Sequence, residues 1–163
     1  MAETLVPPTP SVPPGSVQLS IDRIYVKDLS LENPGAPQSF QMNEPPQVEL
    51  GLRTRSEAID ATTYECVLTL TVTARSADRT VFLVEAAQAG IFTIRGAADD
   101  QLQMILATHC PNLLFPYVRE TIASATMRMG FPPVHLAPIN FDMLYAQQVA
   151  QQTPNAPAPA TVS

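Results

Sequence analysis

An α+β fold is predicted, with a four-stranded antiparallel sheet followed by helices packed on one of its faces. Three observations carry that class. Apolar and β-branched residues alternate with period two through four stretches before residue 95, and that period belongs to strands. After Gly96 the apolar spacing changes to three and four, which belongs to a helix. Strands come first and helices after, an order that favours an antiparallel sheet over an interleaved parallel one.

Residues 1–16 contain Pro7, Pro8, Pro10, Pro13 and Pro14 and almost no charge. Proline lacks the N–H that ladders and helices require, so a disordered tail is expected there. Residues 17–31 read as the first strand, with Leu19, Ile21, Tyr25, Leu29 and Leu31 assigned to one face; the alternate positions include Asp22, Asp28 and Glu32. Asn33-Pro34-Gly35-Ala36-Pro37 breaks regular structure, and an irregular crossover loop runs through Phe40 to Pro45-Pro46. Val48, Leu50 and Leu52 then alternate with Glu49, Gly51 and Arg53 as the second strand.

The third and fourth strands form a long hairpin. Tyr64, Cys66, Leu68, Leu70, Val72 and Ala74 share one face of the third. A short polar turn is expected over residues 75–80. On the fourth, Phe82, Val84, Ala86, Gln88, Phe92 and Ile94 share one face, and Leu83, Glu85, Ala87, Ala89 and Ile91 the other. Both faces are less polar than a solvated strand should be, so helices are expected on one and a partner on the other.

Asp99 and Asp100 mark a helix start, where carboxylates meet the positive end of the helix dipole. Leu102, Ile105 and Leu106 continue it, and Pro111 is expected to stop or kink it near Cys110. Leu114, Val118, Ile122, Ala125 and Met129 lie on one side of a second helix, closed by Gly130. Residues 131–138 form a proline-rich connector. Asn140 caps a last helix whose apolar stripe is Phe141, Leu144, Tyr145 and Val149. A single domain is therefore expected over residues 17–152, with a second disordered tail over 153–163.

Composition narrows the function. Charged residues are only 15% of the chain, the net charge is −6 and the pI about 4.7. Nucleic-acid binding needs clustered Lys and Arg and is disfavoured. Basic protein partners suit an acidic surface better. No basic residue precedes Arg23, unlike a signal peptide, and the uncharged stretch 101–118 is interrupted by Pro111 and Pro116. Neither secretion nor membrane insertion is expected, and a cytoplasmic location is. Cys66 and Cys110 fit two reduced core thiols better than a disulfide.

Catalytic motifs are absent: the chain has no phosphate-binding glycine loop, CxxC, HExxH or G-x-S-x-G. Cys110 beside His109 would point to different sides of a helix. Cys66, Cys110, His109 and His135 lack metal-ligand spacing, and the Asp99–Asp100 pair is accounted for by capping. No enzyme activity and no cofactor are expected. Instead, Phe40, Val48, Leu50, Leu52, Phe115, Tyr117 and Phe131 gather aromatic and aliphatic side chains in loops, connectors and one strand, as the lips of an apolar groove would.

Four blocks stand out: Asp22-Arg23-Ile24-Tyr25-Val26-Lys27-Asp28, Glu32-Asn33-Pro34-Gly35-Ala36-Pro37, Gly90-Ile91-Phe92 and Leu136-Ala137-Pro138-Ile139-Asn140-Phe141-Asp142. A fifth and the most specific is Cys110-Pro111-Asn112-Leu113-Leu114-Phe115-Pro116-Tyr117-Val118-Arg119-Glu120. Together they resemble SecB, the bacterial protein-export chaperone family. The likeness runs over residues 17–150; the proline-rich N-terminal extension departs from it. It implies a homotetramer, a dimer of dimers with helices between outward-facing sheets. It also implies ATP-independent holding of unfolded preproteins and their delivery to the SecA ATPase. On the family pattern, SecA contacts fall on Asp28, Glu32, Leu83 and Glu85, and the tetramer-interface positions on Val84, Ala86 and Gln88. A scaffold for one folded partner is the alternative, and several unrelated unfolded polypeptides would separate the two.

Overall fold

The computed structural model of the protein describes residues 13–152. Both expected tails fall outside that range, except residues 13–16. These form a turn in which the Ser16 N–H and hydroxyl donate to the Pro13 carbonyl at 3.3 and 3.0 Å. Strands β1 (Gln18–Glu32), β2 (Gln47–Ala58), β3 (Thr63–Ser76) and β4 (Arg79–Arg95) form one antiparallel sheet in the order β1-β4-β3-β2. A 3-10 turn at Gln38–Gln41 lies in the crossover loop. The helices are α1 (Asp99–Met104), α2 (Cys110–Arg128) and α3 (Phe141–Gln152). The α+β class and the one-sided helix layer agree with the sequence.

The inner face of β3 and β4 follows the expected parity. Leu70 pairs with Ala86, Val72 with Val84 and Ala74 with Phe82, and α2 packs over them. Leu68, Leu70, Val72, Val84, Leu114, Val118 and Ile122 are fully buried. Gly90 lets the helix approach: a Cβ there would lie 2.7 Å from the Phe92 ring and 3.0 Å from Leu114. Gln88 is the polar member of this layer. Its amide donates to the Tyr25 carbonyl at 3.0 Å and its oxygen accepts from the Thr121 hydroxyl at 3.5 Å.

Strand β1 departs from expectation. Its register against β4 shifts between Ile21 and Arg23 and again between Val26 and Asp28. Each bulge inserts one residue and reverses the parity beyond it. Leu19, Ile21, Ile24, Val26, Leu29 and Leu31 therefore share the inner face, and Tyr25 goes to the outer one. There its hydroxyl donates to Glu65, which also takes both oxygens to Lys27 at 2.8 and 2.7 Å. Burial, then Glu65, pushes the Tyr25 hydroxyl up to about 12.

Two connections also differ. The β3–β4 ladder continues to Ser76 opposite Arg79, leaving a tighter turn than residues 75–80, with Ala77 at φ 51°. Pro111 does not end the helix. A π turn at Ile105–His109 joins α1 to α2, and the Cys110 N–H reaches back to the Ile105 carbonyl. That wide turn leads directly into Pro111, which has no N–H to extend the ladder. Asn140 caps α3 as expected, its Oδ1 accepting from the Met143 N–H at 3.0 Å. Among the described residues no helix is long and apolar enough to cross a membrane.

Candidate functional site

The helix layer is narrower than the sheet beneath it. Inner-face side chains on the two outermost strands therefore share the core's direction without its cover. One cross-strand row runs Leu50–Val72–Val84–Leu31. Its middle pair is 0% exposed, whereas Leu50 is 58% and Leu31 40% exposed. The neighbouring row, Leu52–Leu70–Ala86–Leu29, repeats the pattern. Such ordered apolar exposure marks an interaction surface more than a scatter of single residues does.

Along the β2 margin, Val48, Leu50 and Leu52 are bare, as the alternation required of an uncovered strand. Beside Leu52 and Thr54 the sheet meets Ala107, Phe141, Leu144 and Tyr145, which with them line a cleft of about 480 Å³. At the other end, the half-exposed Phe40 ring lies 5.1 Å from Phe131, which lies 4.8 Å from the buried Phe82. These rings form a continuous stack from solvent to core. Gly130, at φ +89°, lies under Phe40, where a Cβ would approach its ring to 3.0 Å. The Asn33 amide holds the start of the loop to the end of α2 by donating to the Met129 carbonyl at 3.0 Å.

The other sequence-predicted groove residues separate. Phe115 is buried, its ring edge-on to Phe141 at 6.2 Å, because α3 folds back against the π turn and brings Phe141 to it. It belongs to the core and not to an open lip. Tyr117 is exposed, on the side of α2 away from the sheet, in a stripe with Leu113 and Met127. Sequence reasoning missed Leu144 and Tyr145. It placed both on one stripe with Phe141, yet only Phe141 is buried.

Asp28, Glu32, Leu83 and Glu85 come together on the outer face. Successive cross-strand pairs are Asp28–Ala87, Ser30–Glu85 and Glu32–Leu83, so the four side chains form one acidic patch with Leu83 at one end. Thr71 donates to Glu85 at 2.8 Å. Val84, Ala86 and Gln88 lie on the opposite face, inside the protomer's own core. Neither thiol is placed for chemistry: Cys66 and Cys110 are buried in the core, and their hydrogen bond, then desolvation, holds the Cys110 thiol above its ordinary range. Among the described residues no cluster of His, Cys, Asp and Glu could hold a metal.

Comparison with known proteins identifies the family. The family described as "Preprotein translocase subunit SecB" matches residues 14–152. This chain belongs to the SecB family. It is 53% identical over 132 residues to the protein-export protein SecB of Methylobacillus flagellatus, covering 81% of this chain and 84% of that one. It is 49% identical over 142 residues to that of Nitrosospira multiformis, covering 87% and 89%. In fold it is similar to a Mycobacterium tuberculosis SecB-like chaperone solved in complex with a ChAD peptide from an antitoxin. That likeness has a TM-score of 0.63 and 19% identity over 75% of this chain and 91% of the other. As a SecB-family member the chain is a protein-export chaperone, not an enzyme.

Proposed function

We propose that the β2 margin captures unfolded preproteins before export, in the cytoplasm and without nucleotide. The observation that carries this reading is the run of Val48, Leu50 and Leu52, aimed as core residues are and left uncovered. It continues into the α3 cleft at one end and the Phe40–Phe131 stack at the other. Burying one such side chain contributes about 1.5–3 kcal/mol, and ordering the captured chain offsets much of it. A single patch is therefore weak. Several patches on one assembly gain through effective concentration, so affinity needs neither a sequence motif nor ATP.

The β1 margin fits assembly. β1 ends the sheet, and Val26, Leu29 and Leu31 stand bare along its inner face. A second copy related by a two-fold axis meets the same surface with itself, which supports the dimer in a dimer-of-dimers homotetramer. Val84, Ala86 and Gln88 then affect assembly through α2, which rests on them. The acidic patch of Asp28, Glu32 and Glu85, with Leu83 at one end, fits docking of SecA, where charge complementarity sets rate and specificity.

The test is titration of several unrelated unfolded polypeptides onto the wild-type protein and onto Leu50→Asp. General capture by the wild type, weakened in the variant with the oligomer intact, supports the reading. Indifference to all but one folded partner would replace it with the scaffold alternative.

A further inference from the structure

We propose that the outer-face docking surface extends across the sheet to Arg53 and Arg55, and that the segment it accepts from SecA carries carboxylates as well as cations. This rests on the SecA reading of Asp28, Glu32, Leu83 and Glu85 and enlarges it to the opposite strand.

Cross-strand register places the pieces. Arg53 pairs with Thr69, Thr69 with Ala87, and Ala87 with Asp28, so one row of the outer face runs from a cation to an anion. The next row runs Arg55–Val67–Ala89–Tyr25. The middle of both rows is short side chains. Val67, Thr69 and Ala89 are nonetheless buried on a face that no helix covers, because longer side chains rise on either side. The result is a depression of about 340 Å³ whose walls include Arg53 and Arg55 on β2, and Asp28 and Glu85 opposite.

The charges in it are balanced and segregated. Lys27 is spent on Glu65, which accepts both of its contacts. Two carboxylates, Asp28 and Glu85, then face two guanidinium groups, Arg53 and Arg55. Among the described residues neither arginine has a salt bridge; Arg55 acts only at a distance, as a minor cause of the lowered Glu65 pKa. The row from Arg53 to Asp28 spans three strand spacings, about 14 Å. Screening acts over about 8 Å at physiological ionic strength, so the field changes sign within the depression. A purely basic segment gains at Asp28 and Glu85 and loses at Arg53 and Arg55. A segment with a carboxylate about three or four extended residues from its cation gains at both.

The direction of one charge-reversal effect decides between them. Binding of full-length SecA from the same organism is measured at low salt on wild type, D28A/E85A, R53E/R55E and R53K/R55K. Oligomer size and denaturant unfolding serve as folding controls. The expected result is weaker binding for D28A/E85A, about tenfold weaker binding for R53E/R55E, and near wild-type binding for R53K/R55K. Unchanged or tighter binding by R53E/R55E, with D28A/E85A still weakened, overturns the bipolar segment and leaves the SecA reading standing. An unaffected D28A/E85A removes the SecA reading and this inference with it.

Discussion

Along β1, Val26, Leu29 and Leu31 stand bare beside the helices, and along β2 Val48, Leu50 and Leu52 do the same on the opposite side. The side chains are alike in size, polarity and direction, and both sets extend rows whose centres are core. Their surroundings differ. Both strands end the sheet, but β1 is tied on its outer face by Tyr25 and Lys27 to Glu65 of β3. β2 runs between a loop carrying Phe40 and a helix carrying Leu144 and Tyr145, which turn its margin into a trough. A bare edge suits a second copy with the same edge, whereas a trough with walls suits a chain of no fixed shape. The comparison teaches that apolar exposure alone does not assign a role; the neighbouring elements do.

Breaking the β1 margin should have the largest effect. Leu29→Asp with Leu31→Asp places charge where two copies would meet, and the protein should run as smaller species in light scattering. Each protomer should still capture unfolded chain, with avidity lost. Next comes Leu50→Asp or Leu52→Asp, which should weaken client affinity about 10- to 100-fold by titration, from a loss of about 1.5–3 kcal/mol. The assembly should keep its mass. A variant of either margin that produced the other's phenotype would dissolve the distinction.

The covered strip between the margins should answer differently from both. Gly90→Ala puts a methyl group against Phe92 and Leu114, and overpacking of this kind costs about 1–3 kcal/mol. Denaturant unfolding should register it, with client capture per folded protomer unchanged. The smallest effect belongs to Glu65→Gln, which weakens the tie between β1 and β3. The Lys27 and Tyr25 hydrogen bonds hold the Glu65 pKa below its ordinary value. Their contribution, about 1 kcal/mol, is full above the ordinary carboxylate range and is lost as pH falls through that depressed pKa. Wild type and Glu65→Gln should therefore differ in stability at pH 7 and converge in acid.

Much of this was readable from the residues. Alternation fixed which faces of β3 and β4 are buried, because period two admits a single assignment once a run such as Cys66 to Ala74 is apolar. The gathering of apolar side chains near the proline-rich loops makes Val48, Leu50 and Leu52 groove candidates, and all three are exposed. The bulges in β1 were not readable, since inserting Asp22 and Lys27 leaves composition unchanged while moving Tyr25 to the other face. Phe115 looked like a lip because its cover, Phe141, lies far along the chain and reaches it only after α3 folds back. Leu144 and Tyr145 went unnoticed because a helical stripe looks the same whether it packs on a core or borders a cleft. The alignment of Arg53 with Asp28 in one row needed the register of all four strands.

The central claim is that the two margins divide the work, and one paired measurement tests it on the intact assembly. An environment-sensitive fluorophore is placed at position 50 in one preparation and at position 29 in another, and several unrelated unfolded polypeptides are added. The account predicts a saturable response at 50 with every polypeptide and none at 29. Equal responses at both positions, or silence at 50, would contradict it.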